Sequence, residues 1–66
     1  KNIALYPVGS KVFLSDGTSG VVVDVNKRYP ARPIVRVLYD GKGKKLQEQY
    51  EVDLIKKEQL EITDSE

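Results

Sequence analysis

Short runs of alternating apolar and polar residues, each followed by a turn signal, limit what this chain can fold into. The segments Ser15-Asp16-Gly17-Thr18 and Asp40-Gly41-Lys42-Gly43-Lys44 contain the Asp and Gly residues that tight hairpin turns need. Residues 26–33 hold two prolines, which cannot donate to a strand ladder, and so predict a loop. The pattern therefore predicts five short strands: Lys11–Ser15, Val21–Asn26, Ile34–Asp40, Gln47–Leu54 and Gln59–Ile62.

A flat sheet of such strands would leave one apolar face wet and two edges open. We therefore predict an all-β fold, a small SH3-like five-stranded barrel, with a short helical turn at Leu54–Glu58. Residues 1–66 are expected to form one domain, with residues 1–9 as an extended lead-in and residues 63–66 as a frayed tail. Because the chain starts at Lys1 rather than Met, it reads as a piece of a longer protein. The predicted core is Val12, Leu14, Val21, Val23, Val25, Val35, Val37, Val52, Leu54 and Ile62.

The residue types that are missing limit the chemistry. The 66 residues include no Cys and no His, which excludes disulfides, zinc fingers and Ser–His or Cys–His nucleophile pairs. We therefore predict that this chain is not an enzyme by itself and holds no metal and no cofactor. No apolar run approaches the about 20 residues that cross a bilayer. Without a membrane segment or a targeting signal, a cytoplasmic location is expected.

Charge is distributed unevenly along the chain. The net charge is +1, but residues 1–45 carry nine Lys or Arg and three Asp or Glu, whereas residues 46–66 carry two and seven. Such an imbalance indicates either a nucleic-acid surface or two parts of the chain that neutralise each other when packed. Alternation of polar and apolar residues in both halves favours the second interpretation.

The loop of residues 26–33 contains the candidate partner-binding residues Arg28, Tyr29 and Arg32. Basic groups beside an aromatic ring can grip phosphates and stack a base. Arg side chains can equally hold carboxylates of a peptide or of a neighbouring domain. A solvated connection stiffened by proline is the third interpretation, and the sequence leaves all three open.

Two further patterns have both a functional and a structural interpretation. Gly17 and Gly20, between the valines of the first two strands, follow the strand–turn–strand arrangement of KOW-type barrels that touch ribosomal RNA. The same glycines could simply supply a positive φ at the turn and a bend in the strand. Four tyrosines could form a cage for a methylated lysine, but they fall on different predicted elements. They are Tyr6, Tyr29, Tyr39 and Tyr50.

Two blocks of residues, at compatible spacing, resemble a known family. The first runs from Tyr6-Pro7-Val8-Gly9-Ser10 through Gly17 and Gly20 to Val25-Asn26; the second is Arg32-Pro33-Ile34-Val35-Arg36-Val37-Leu38-Tyr39-Asp40, followed by Val52-Asp53-Leu54. Together they are similar to the small region that follows the catalytic domain in many bacterial HD-GYP-type phosphohydrolases. Those enzymes are metal-dependent and associated with cyclic di-GMP hydrolysis. The signature His and Asp ligands and the Gly-Tyr-Pro segment have no counterpart here, because Leu5 and Arg28 precede the two Tyr-Pro pairs.

The resemblance implies a non-catalytic C-terminal module whose partner is the upstream catalytic domain of the same protein. The module would pack on that domain or regulate it through Arg28, Tyr29 and Arg32, with Phe13 or an exposed Val22 as further contacts. The alternative is a KOW-like nucleic-acid-binding barrel, favoured by the basic first half. A peptide-binding module of the SH3 type is a third possibility, although the chain lacks Trp. Contact with a membrane is not expected.

Overall fold

Five antiparallel strands make up the single sheet of this chain. The computed structural model describes residues 5–66. The strands are β1 (Lys11–Leu14), β2 (Ser19–Asp24), β3 (Ile34–Tyr39), β4 (Lys45–Asp53) and β5 (Ile62–Ser65). They lie in the order β4-β3-β2-β1-β5, so each consecutive pair from β1 to β4 forms a hairpin and β5 returns to the far side of β1. The all-β prediction with five strands is confirmed.

Closure into a complete barrel is not observed. β4 and β5 form the two edges of the sheet, and no pairing joins them within the described part of the chain. Register shifts interrupt the β1–β5, β2–β3 and β3–β4 pairs. Such bulges bend a strand and increase its twist, so they curve the open sheet around the core.

The C-terminal part of the chain differs from the sequence prediction. Of the segment expected to be a fifth strand, Gln59–Ile62, only Ile62 lies in a strand; it follows a turn in which the Leu60 amide donates to the Lys57 carbonyl at 3.0 Å. The strand is instead Ile62–Ser65, so residues 63–66, expected to fray, are held beside β1. Between residues 5 and 66 there is no helix, and the predicted helical turn at Leu54–Glu58 is a pair of hydrogen-bonded turns. Accordingly, no helix of this region could span a membrane.

Seven apolar side chains form the buried core on one face of the sheet. They are Val12, Leu14, Val22, Val35, Val37, Val52 and Leu54, with Tyr6, Leu46, Leu60 and Ile62 packed partly buried against them. Six of the ten residues predicted for the core are thus confirmed, and Ile62 contributes partly. The predictions for Val21, Val23 and Val25 are wrong, as is the prediction that Val22 is exposed, because β2 turns its other face to the core.

The register between β1 and β2 explains this inversion. Val12 lies directly opposite Gly20, and opposite residues in an antiparallel pair share a face. Gly20 therefore points to the core side, and Val22, two residues further on, does too. Val21 lies opposite Lys11 on the outer face and is only half-buried. Val21, Val22 and Val23 form an apolar run in which sequence alternation alone gives no preference between the two faces.

Candidate functional site

The β2–β3 loop, residues 25–33, carries the three residues predicted to bind a partner. Two turns shape it, since the Tyr29 amide donates to the Asn26 carbonyl and the Arg32 amide donates to the Tyr29 carbonyl, each at 2.9 Å. The Asn26 side-chain amide donates to the Arg32 carbonyl at 2.5 Å and to Asp53 Oδ1 at 3.2 Å. Pro33 is fully buried at the start of β3. The loop therefore has a fixed base and an exposed tip.

Arg32 belongs to the base. Its Nε donates to the Leu54 carbonyl at 2.7 Å, and its Nη2 donates to the carbonyls of Lys57 at 2.7 Å and Leu60 at 2.5 Å. One guanidinium thus satisfies three backbone acceptors of the segment that joins β4 to β5. Hydrogen bonds from a charged donor are stronger than neutral ones, so this contact, the Arg32 clamp, ties the loop to that segment.

Arg28 and Tyr29 belong to the tip. Both are exposed, Tyr29 at 53% of its surface. The Arg36–Glu51 pair is the one salt bridge within residues 5–66, so neither Arg28 nor Lys27 is neutralised by a described carboxylate. The structure therefore brings Arg28 and Tyr29 together at an exposed tip. The Arg32 side chain instead binds backbone carbonyls of its own domain.

The glycine pair has a clear structural role. Gly17 has φ +94°, a left-handed conformation that closes the β1–β2 turn, where its amide donates to the Leu14 carbonyl at 2.9 Å. Gly20 lies against β3, so that a Cβ placed there would be 1.9 Å from the Arg36 carbonyl oxygen. A side chain at Gly17 would lie 3.4 Å from the Cα of Gly41, which shows that the β1–β2 and β3–β4 turns are neighbours.

The four tyrosines do not share an element. Tyr6 packs against the core and Tyr29 lies at the loop tip, whereas Tyr39 is on β3, where Lys11 Nζ lies 5.7 Å from its ring centroid. The same ammonium lies 5.3 Å from the Phe13 centroid. Tyr50, on β4, is 48% exposed. The two rings that do face one cation are Phe13 and Tyr39, and the cation is the domain's own Lys11.

Sequence reasoning missed a groove on another part of the surface. Tyr50 and the half-buried Leu60 line it together with Ile55, and the β1–β2 turn forms its other wall through Ser15 and Asp16. The Ser15 amide donates to the Glu61 carbonyl at 2.8 Å and thereby joins this turn to the segment before β5. These residues are distant in the sequence and no local pattern connects them.

Residues 11–65 match the family model of the KOW domain associated with HD domain. The chain belongs to this family. Comparison with curated proteins and with solved structures gives no match. The family confirms the association with an HD domain that the resemblance implied, and it agrees with the KOW-type interpretation of the strand–turn–strand segment around Gly17 and Gly20. The chain is therefore a KOW domain of the kind that is associated with HD domains.

Proposed function

We propose that this KOW domain is the C-terminal module of a bacterial HD-GYP-type phosphohydrolase and that it packs on, and regulates, the catalytic domain. The observation that carries the proposal is the family match, which covers residues 11–65 and connects the domain to HD domains. The order and spacing of the two resembling sequence blocks support the HD-GYP type in particular.

The chemistry of the phosphohydrolase would belong to its catalytic domain. The resemblance implies a metal held by His and Asp ligands, and the donors of this chain do not fit such a site. The chain has no His or Cys, and residues 5–66 contain no group of three carboxylates arranged to hold a metal ion. The module would act through contact alone, by fixing the orientation of the catalytic domain or of its dimer.

Deletion in the full-length protein tests this role. We expect removal of residues 1–66 to change cyclic di-GMP hydrolysis together with the thermal stability or the oligomeric state of the remaining protein. A matched control replaces the module by a flexible Gly/Ser segment of similar reach, so that chain length is not the variable. If hydrolysis, stability and oligomeric state all stay as in the intact protein, the module has no role in the catalytic domain and the proposal is wrong.

Nucleic-acid binding is the alternative function, and one feature favours it. Lys42, Lys44 and Lys45 lie in and beside the β3–β4 turn, which neighbours the β1–β2 turn that contains Gly17. A phosphate can come close to the backbone of a glycine, which has no side chain, and the neighbouring lysines could then bind it. The salt dependence of binding distinguishes this function, because each phosphate contact releases counterions.

A further inference from the structure

Exposed apolar side chains are concentrated at one end of the sheet. Six large hydrophobic residues are exposed within residues 5–66, and four of them belong to segments at the end where β1 begins and β2 finishes: Leu5, Val8, Val25 and Tyr29. Backbone pairing brings the segment that precedes β1 beside β2, because the Gly9 amide donates to the Val22 carbonyl at 2.8 Å and the Val22 amide donates to the Ser10 carbonyl at 2.9 Å. These four residues form the end patch.

The end patch combines apolar area with positive charge. Lys27 and Arg28 lie between Val25 and Tyr29, and neither pairs with a carboxylate of residues 5–66. An aromatic ring beside an arginine is the composition typical of the residues that contribute most to protein interfaces. A complementary surface is therefore apolar at its centre and carries carboxylates at its rim.

The Arg32 clamp holds the tip of the β2–β3 loop in a fixed position before any partner binds. Arg32 and Asn26 fix both ends of the loop against the end of β4 and the segment after it, so the tip residues need less ordering when a partner binds. A surface that is already ordered loses less conformational entropy on association.

We propose that the end patch is the docking surface for the HD domain of the same protein, with Tyr29 as its anchor and Arg28 facing carboxylates of that domain. The inference rests on the proposed function and specifies its contact. The position of the N-terminal residues supports this choice of partner, because Leu5 and Val8 bring the chain to the sheet at this end. In a protein whose catalytic domain precedes this module, the chain that connects the two would enter the module beside this surface.

Tyr50 provides an internal control for the test, since it is 48% exposed, close to the 53% of Tyr29, and lies in the separate groove beside the β1–β2 turn. Hydroxyl-radical footprinting of the nuclease-treated full-length protein, read by peptide mass spectrometry, compares the two rings in one sample. We expect Tyr29 to be oxidised roughly tenfold more slowly than Tyr50, as for a docked state favoured by about ten to one. The double variant V8D/V25D should bring Tyr29 to the rate of Tyr50, whereas I55D, in the groove, should not.

Any other result would contradict the inference, and each of them has a different meaning. Equal oxidation of the two rings in the intact protein overturns the end patch as the docking surface. If deletion of residues 1–66 nevertheless changes hydrolysis or stability, the proposed function stands and only its location is wrong. Protection of Tyr29 that disappears on dilution identifies a second copy of the chain as the partner instead. Protection present only before nuclease treatment identifies a nucleic acid.

Discussion

At Gly20 the backbone of β3 leaves no room for a side chain on β2. A Cβ at this position would lie 1.9 Å from the Arg36 carbonyl oxygen and 2.9 Å from the Cα of Val37. Both are backbone atoms of the neighbouring strand and cannot move aside as a flexible side chain can. The register shift between Ser19 and Gly20 lies at the same point, so the close approach and the bend of the sheet have a common origin.

We therefore expect Gly20→Ala to destabilise the domain by about 3 kcal/mol, at the upper end of the cost of overpacking. For a domain of this size that is a large part of the total free energy of unfolding. Urea unfolding followed by circular dichroism measures the change. Gly41→Ala is the control, because a Cβ there would meet no atom closer than 3.8 Å. Equal stability of the two variants would show that β2 and β3 are not so close in solution.

Arg32 and Arg28, four residues apart, should respond very differently to mutation. Arg32→Ala leaves the carbonyls of Leu54, Lys57 and Leu60 without their donor, and hydrogen bonds to charged groups contribute about 1.5–3 kcal/mol. We expect a loss of about 2 kcal/mol for Arg32→Ala and a change within about 0.5 kcal/mol for the exposed Arg28→Ala. Unfolding titrations of both variants provide the comparison. A neutral Arg32→Ala would mean that the Arg32 clamp is not formed.

The candidate site was predictable in part. Local sequence identified the loop and its exposed tip, because prolines and charges mark a connection whatever the fold. It could not separate the roles of Arg28 and Arg32, since the acceptors of Arg32 are 22, 25 and 28 residues away. When the partners of a side chain are backbone carbonyls of a distant segment, the residues around it in the sequence show no pattern that indicates the contact.

At the scale of the elements, β5 shows how tertiary pairing can override local signals. Thr63-Asp64-Ser65 has little apolar character and predicts a loose terminus. Yet Phe13 lies opposite Asp64 and Val12 lies opposite Ser65, because β1 needs a partner on its second edge. The Glu66 amide continues the pairing by donating to the Lys11 carbonyl at 2.9 Å.

Hydrogen exchange can test whether β5 is held as firmly as its pairing indicates. We expect the Glu66 amide and the Ser15 amide, which donate across this edge at 2.9 and 2.8 Å, to exchange far more slowly than the amide of Lys27 in the exposed loop. Protected amides open only with the element that holds them. Rapid exchange at Glu66 together with slow exchange at Ser15 would show that β5 frays after Ile62, as the sequence alone suggests.

The elements that the sequence predicted well are those with turn chemistry at their ends. β1 and β3 lie within one residue of their predicted bounds, since the Asp-Gly turns fix where each ends. β2 was found but its buried face was inverted, because Val21, Val22 and Val23 are equally apolar and only pairing with β1 decides between the faces. Barrel closure was not observed, since the two edge strands do not pair within residues 5–66.

At the scale of the whole molecule, the basic first half of the sequence is spread over several surfaces. Lys27 and Arg28 lie at the tip of the β2–β3 loop, and Lys42 and Lys44 lie in the β3–β4 turn. Three further cations are engaged: Lys11 lies over two aromatic rings, Arg32 forms the clamp, and Arg36 Nη2 pairs with Glu51 Oε2 at 2.7 Å, whereas Lys45 is exposed at the start of β4. In the folded domain the excess positive charge of residues 1–45 is therefore distributed over small separate groups.

This dispersion predicts weak nucleic-acid binding. Affinity for phosphates depends on how many are neutralised at once, because log K falls with log salt by a slope of about −0.9 per phosphate contact on duplex DNA. We expect titration of labelled RNA and DNA to show only weak association at low salt, with a slope no steeper than about −3 and no saturation at physiological salt. The variant K42Q/K44Q/K45Q should abolish what remains, whereas K27Q/R28Q should not. Tight binding that persists at physiological salt would instead make the β3–β4 turn, not the end patch, the principal interaction surface of the domain.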